Sequence, residues 1–301
     1  MNKLGTVDSV NVQAPENSEL ENANENESSP KVIEHSEIGR RMVGLPPEQK
    51  RDFPTELIEL PSKGLLYPKD HPLAGGTLEI KYMTAKEEDI LSTESYIKQG
   101  VVLDRLCESI IVTKGVKYGD LLIGDKNALL FAARSLGYGP NYQTTVETED
   151  GIEIPITINL DEIKHKEIDE TLITPHENRF KFELPKSKKI IEFKLLTVQD
   201  QKDIDNILKG FKKLGPMATA SNLTTRLKKM ILSVDGNSDP GTISQAIDNM
   251  LAIDSRAFRE YLLKIQPDVD LEVDVEDPNT GEFFRSNFTI GVDLFYPDFK
   301  R

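Results

Sequence analysis

LEIKYMTAKEEDIL, residues 78–91, can be laid over IEFKLLTVQDQKDI, residues 191–204, and this superposition decides the fold. The two stretches share Glu79 with Glu192, Lys81 with Lys194 and Thr84 with Thr197. Each begins with the alternation of a half-buried strand and then changes to helical spacing. Thr84 with Glu87, and Thr197 with Asp200, stand at the spacing of an N-cap residue and its acidic N3 partner. The spacing therefore predicts a strand running into a helix twice in one chain.

Working outward, the next elements follow in the same order. Leu103, Leu106, Cys107, Ile110 and Ile111 form one apolar helical stripe, and Leu223, Leu227, Met230 and Ile231 form its counterpart. Gly115 and Gly236 end the two helices. A third helix carries Ala128, Leu129, Ala132, Ala133 and Leu136; its equivalent carries Ala257, Phe258, Tyr261, Leu262 and Ile265. Asp125 and Asp254 precede them as candidate N-caps. Each half then closes with an alternating hairpin, turning at Asp150-Gly151 in the first and at Pro278-Asn279-Thr280-Gly281 in the second. The extra residues of the second half fall at Gly215-Pro216 and at Asn237-Ser238-Asp239-Pro240-Gly241, breakers suited to loops. The expected fold class is α+β, built as two pseudo-repeats over 53–165 and 178–300, each with strands, about three helices and a β-hairpin.

Residues 1–45 differ in kind. They are rich in Asn, Glu and Ser, and the first 30 hold six acids against Lys3. Such a segment buries too little surface to offset its ordering entropy, so composition predicts a disordered acidic tail.

The whole chain carries 51 acids against 37 Lys and Arg, a formal charge of −14, which argues against a general nucleic-acid binder. No run of apolar residues is long enough to span a bilayer, and the N-terminal residues lack the apolar core of a signal peptide. No membrane partner is expected. One cysteine, Cys107, allows neither an internal disulfide nor a Cys-based zinc site, and its place on an apolar stripe predicts a packed, inert thiol.

Signatures of chemistry are missing from the sequence. His35, His71, His165 and His176 have no second ligand at helical spacing, and His165 with Glu167 reads as a solvated linker pair. There is no GxSxG elbow, no GxxxxGK[ST] loop and no GxGxxG after a strand. GYGPNY at 137–142 follows a helix and reads as its stop. No catalytic, cofactor-binding or metal residues, and no small-molecule substrate, are expected. Protein partners are the remaining class.

LPSKGLLYPKDHPL, residues 60–73, is the most distinctive local sequence. Pro61, Pro68 and Pro72 fix φ and deny helix, while Gly64 can supply a positive φ. Leu65, Leu66 and Tyr67 on this loop, with Phe295, Tyr296 and Phe299 near the C-terminus, are candidate partner-binding anchors. An equal reading makes the loop residues cover for the core of the first half.

LPSKGLLYP, then GGTLEIKYMTAKEEDIL and DRLCESIIV, resembles a baseplate protein family of T-even-type myophages. SRAFREYLLKIQPDVDLEV and IGVDLFYPDF resemble it too, so the similarity spans most of residues 57–299. The family includes hub subunits and hub assembly factors, and no catalytic residues come with it. Some relatives carry paired cysteines in the first hairpin; TTVETEDGIEI here has none, so a zinc knuckle is not carried over. The resemblance implies a non-enzymatic role in baseplate hub assembly through contacts with other tail or hub proteins. It places the chain in the host cytoplasm during assembly and in the tail baseplate of the virion. A tape-measure chaperone absent from the finished virion is the alternative. A cell-wall hydrolase is the weakest reading, supported only by abundant carboxylates.

Overall fold

The computed structural model describes residues 53–147, 153–213, 222–276, 281, 283–287 and 290–296. The acidic tail at 1–45, both hairpin turns apart from Gly281, Gly215-Pro216 and Phe299 lie outside these residues. The fold is α+β, with eight α-helices and small antiparallel sheets among the described residues.

The first half opens with β1 (Thr55–Glu59) and β2 (Thr77–Lys81), paired antiparallel with Leu57 opposite Glu79. Then come α1 (Ala85–Ser92), α2 (Glu94–Gln99), α3 (Val102–Ile110) and α4 (Ile123–Tyr138). It closes with the hairpin β3 (Asn141–Glu147) and β4 (Glu153–Asn159). The second half opens with β5 (Phe180–Glu183) and β6 (Ile190–Phe193), followed by α5 (Val198–Lys213) and α6 (Asn222–Met230). Next are β7 (Ile231–Val234), α7 (Pro240–Asp248), α8 (Ala252–Ile265) and the hairpin β8 (Glu272–Glu276) with β9 (Phe283–Asn287).

The capping pairs do what their spacing predicts. The Thr84 amide donates to Glu87 at 3.0 Å and the Thr197 amide to Asp200 at 3.1 Å. Each carboxylate also takes the lysine from the strand before it: Lys81 meets Glu87 and Lys194 meets Asp200, both at 2.7 Å. Strand end and helix start are thereby fastened at one point in both halves.

Four details depart from the sequence reading. Ile111 does not continue the helix but turns extended and bridges Ile80; Ile231 does the same opposite Phe193. An apolar side chain at that point gains more by completing the sheet than by lengthening the stripe. The first helix of the first half breaks after Ser92, where the Ser92 and Thr93 hydroxyls donate to the carbonyls of Glu88 and Asp89 and compete with the helical ladder. Residues 239–241 do not form an insertion loop. Asp239 caps α7 through the Thr242 amide at 2.8 Å, and Pro240 occupies the first turn, where its missing N–H costs nothing. Finally, Asp125 and Asp254 are N3 residues; the N-caps are Leu122 and Leu251.

One apolar core runs through both halves, from Leu78, Ile80, Leu106 and Leu129 to Phe193, Phe258 and Ile265. Phe193 meets Phe258 edge-on at 4.8 Å. Burying such a side chain contributes about 2 kcal/mol. The halves meet where α4 begins: the Val198 amide donates to the Leu121 carbonyl at 2.8 Å, and Asn127 donates to Asp268 at 2.8 Å. Gly124 has to be small there, because a Cβ would strike the Pro267 carbonyl. The two hairpins share a smaller cluster of Val146, Ile154 and Val275.

Candidate functional site

The loop after β1 is the first place to build a site. Its backbone closes on itself: the Lys63 amide donates to Leu60 at 2.8 Å, Leu65 to Ser62 at 3.0 Å and Tyr67 to Gly64 at 3.2 Å. Gly64 makes this possible with φ 75°, and a side chain there would collide with the backbone of Ala74 and Gly76. The turn carries Leu66 and Tyr67 inward. Both are buried, at 2% and 5% exposure.

Tyr67 is held at its polar end. Its hydroxyl donates to Asp125 at 2.6 Å and accepts from the Leu122 amide at 2.9 Å. Asp125 also accepts the Ser62 amide at 3.0 Å and the Ser62 hydroxyl at 2.8 Å. Burial pushes the Asp125 carboxyl above the usual range, although the donors from Tyr67 and Ser62 oppose it. Burial, with the Asp125 charge added, raises the Tyr67 phenol further still. Loop and helix start are thus joined by a closed polar network inside the core.

The second half repeats the device with less chain. Asp254 takes the amides of Lys186 at 2.7 Å and Ser187 at 3.0 Å, on the β5–β6 turn. That turn reads Glu183-Leu184-Pro185, matching Glu59-Leu60-Pro61. Lys63 and Lys188 follow at positive φ, and the Lys188 amide donates to the Leu184 carbonyl at 2.9 Å.

Of the candidate anchors, Leu66, Tyr67 and Phe295 are in the core, so they cover the fold and present no surface to a partner. Their apolar mass gains more from permanent burial, and the Tyr67 hydroxyl finds its partners inside. Leu65 and Tyr296 are half-buried against the same core, and Phe299 is outside the described residues. The C-terminal turn that carries Phe295 is held by Arg134, which sequence reasoning missed. Its buried guanidinium donates to the carbonyls of Leu294 and Gly139, both at 2.8 Å, and Asn141 at 3.3 Å. Three carbonyl dipoles satisfy the cation, and burial lowers its pKa.

The remaining candidates are also tied into structure. Cys107 is fully buried and burial pushes its thiol up to about 12. His165 pairs with Val269 through the backbone and burial lowers its pKa; the linker around it packs along the end of α8, with Lys166 donating to the Asp268 carbonyl at 2.8 Å. His165 is half-buried there, while Glu167 is exposed. His176, at φ 66°, donates its amide to the Leu65 carbonyl. Burial pushes Glu87 up, but hydrogen bonds from Lys81, Ser109 and Thr84 outweigh it and bring its pKa to about 2. Among the described residues no three of His, Cys, Asp and Glu converge as metal ligands, and no helix is long and apolar enough to cross a membrane.

Large apolar side chains do reach solvent elsewhere, among them Ile207 and Phe211 on α5 and Leu223 on α6. A surface of this kind can bind protein but offers no group placed for covalent chemistry. A family model described as T4 bacteriophage base plate protein matches residues 56–290. No curated protein and no solved structure matches the chain.

Proposed function

The chain belongs to the T4 bacteriophage base plate protein family, and from that premise we propose that this structural tail protein acts in assembly of the baseplate hub. It works by binding other tail and hub proteins and catalyses no reaction. The observation that carries the reading is the extent of the family match, which takes in both halves and the linker between them. The chemistry of the body supports it. Among the described residues the buried carboxylates are Asp125, Asp254, Glu87 and Asp200, and each fastens one element to another. We read the recurring order of elements as an internal duplication over 53–165 and 178–300.

A phage lacking this gene tests the proposal. Electron microscopy of its lysates should show tail assembly stopped before a complete hub, with rescue by the chain in trans. Complete, infectious tails would overturn it. Normal hubs with tails of irregular length would point instead to service to the tape-measure protein.

A further inference from the structure

The two halves meet through unlike surfaces, the start of α4 from the first and the start of α5 from the second. The Val198 amide donates to the Leu121 carbonyl at 2.8 Å, and Leu122 bridges Thr197. Lys202 reaches Glu108 at 3.2 Å and Asp104 at 3.4 Å. Burial at this junction is nearly complete, with Leu122 and Val198 each 3% exposed. Because the surfaces differ, each half also carries a counterpart of the one that the other half contributes.

Both counterparts are open. Asp125 over Asp254 sets Leu121 and Leu122 on Met250 and Leu251, and Thr84 over Thr197 sets Val198 on Ala85 and Lys202 on Asp89. Leu251 is 47% exposed and Ile253, one turn into α8, 60%. Thr84, Ala85 and Asp89 are exposed as well. Among the described residues the Met250 carbonyl receives no hydrogen bond and the Ala85 amide gives none, although Leu121 and Val198 bond to each other at the same places. The charges correspond with signs exchanged: Leu106 over Leu227 sets Glu108 on Lys229, so Lys202 with Glu108 becomes Asp89 with Lys229. The Asp89 carboxylate meets no cation among the described residues, and Lys229, which holds Asp203 at 2.6 Å, keeps about a third of its side chain in solvent. Volumes are exchanged too. Gly124 lies against Pro267 and Asp268; the counterparts are the large Ile253 and the pair Tyr138-Gly139, where an added Cβ on Gly139 would meet nothing.

We propose that the start of α8 is the docking surface for a second copy of this chain, which binds through the start of its α1 and repeats the junction between the halves. The Ala85 amide of one copy donates to the Met250 carbonyl of the other. The strand-to-helix corner at Thr84 covers Leu251, and Asp89 meets Lys229. Since the two surfaces are unlike, the copies join head to tail, in a row or a closed ring. This rests on the internal duplication read above and not on the hub role.

The test uses the purified full chain. Sedimentation velocity from micromolar to millimolar concentration should show species above the monomer mass that grow with concentration. Asp89→Lys should weaken this association about tenfold. The double variant Leu251→Glu, Ile253→Glu should stay at the monomer mass while keeping the wild-type melting temperature, since both side chains lie outside the core. A short bis-maleimide reads the direction of the contact, because Cys107 is buried and does not compete. An equal mixture of Ala85→Cys chains and Leu251→Cys chains should give a covalent dimer, and neither variant alone should give one. A wild-type chain that stays monomeric throughout, a double glutamate variant that associates like wild type, or a dimer formed as readily by one cysteine variant alone would each overturn the assignment. In any of these cases, hub proteins still recovered with the tagged chain from infected cells would leave the assembly role standing.

Discussion

Asp125 accepts both the amide and the hydroxyl of Ser62, at 3.0 and 2.8 Å, across 63 residues of chain. This pair, with Tyr67 closing the network, turns the loop at 60–76 from a surface excursion into part of the core. The loop's stability should therefore depend on its polar members as much as on its apolar ones.

Tyr67→Phe should cost about 1–3 kcal/mol, because it leaves the buried Leu122 amide without its acceptor and takes from Asp125 one of its three donors. Tyr67→Ala should cost about 3–5 kcal/mol, as the ring's packing is lost as well. Urea unfolding of the purified chain measures both. A phenylalanine variant as stable as wild type would mean that water replaces the hydroxyl without loss.

Glu87 gives the fold an acid-sensitive point. Its pKa of about 2 lies below the ordinary 4.5, so the folded state holds the charged form. The stability this supplies is complete above about pH 4.5 and is lost as pH falls towards 2. Glu87→Gln should cost on the order of 2 kcal/mol at pH 7, after discounting for solvent around Lys81. The gap between variant and wild type should narrow steadily from pH 5 to pH 3. A gap independent of pH would show that the carboxylate's charge is not what Lys81 and Thr84 hold.

How much of this was legible in the sequence depends on how far each interaction reaches. Thr84 with Glu87 and Thr197 with Asp200 were readable because a capping box is completed within four residues. Asp239-Pro240 was readable in the same way, as an N-cap with proline in the first turn, but the neighbouring glycines read as a loop. Asp125 could not be placed at N3 from sequence, since the donors that define its role come from Ser62 and Tyr67 far upstream. Tyr67 itself, between prolines and beside two leucines, has the composition of an exposed anchor. Only the distant carboxylate makes it a core residue.

Cys107 should resist thiol reagents in the native state and react on unfolding. The thiol is fully buried and its pKa of about 12 leaves almost no thiolate at neutral pH. Labelling with a chromogenic disulfide in the absence and presence of denaturant reads this directly. Prompt labelling of folded chain would place α3 with its apolar face open to solvent.

Arg134→Met should loosen the C-terminal turn first. The substitution keeps much of the packing but leaves the carbonyls of Leu294, Gly139 and Asn141 without their donor. Limited proteolysis should cut near residues 290–296 at least about tenfold faster than in wild type, before the rest of the body opens. Equal cleavage rates would show that Leu294 and Phe295 hold the segment by apolar burial alone.

Purifying the tagged chain from infected cells and quantifying what accompanies it by mass spectrometry reads the role in hub assembly. Baseplate hub proteins should be recovered in a fixed ratio to this chain. Recovery of the chain alone, or with the tape-measure protein and no hub protein, would contradict it.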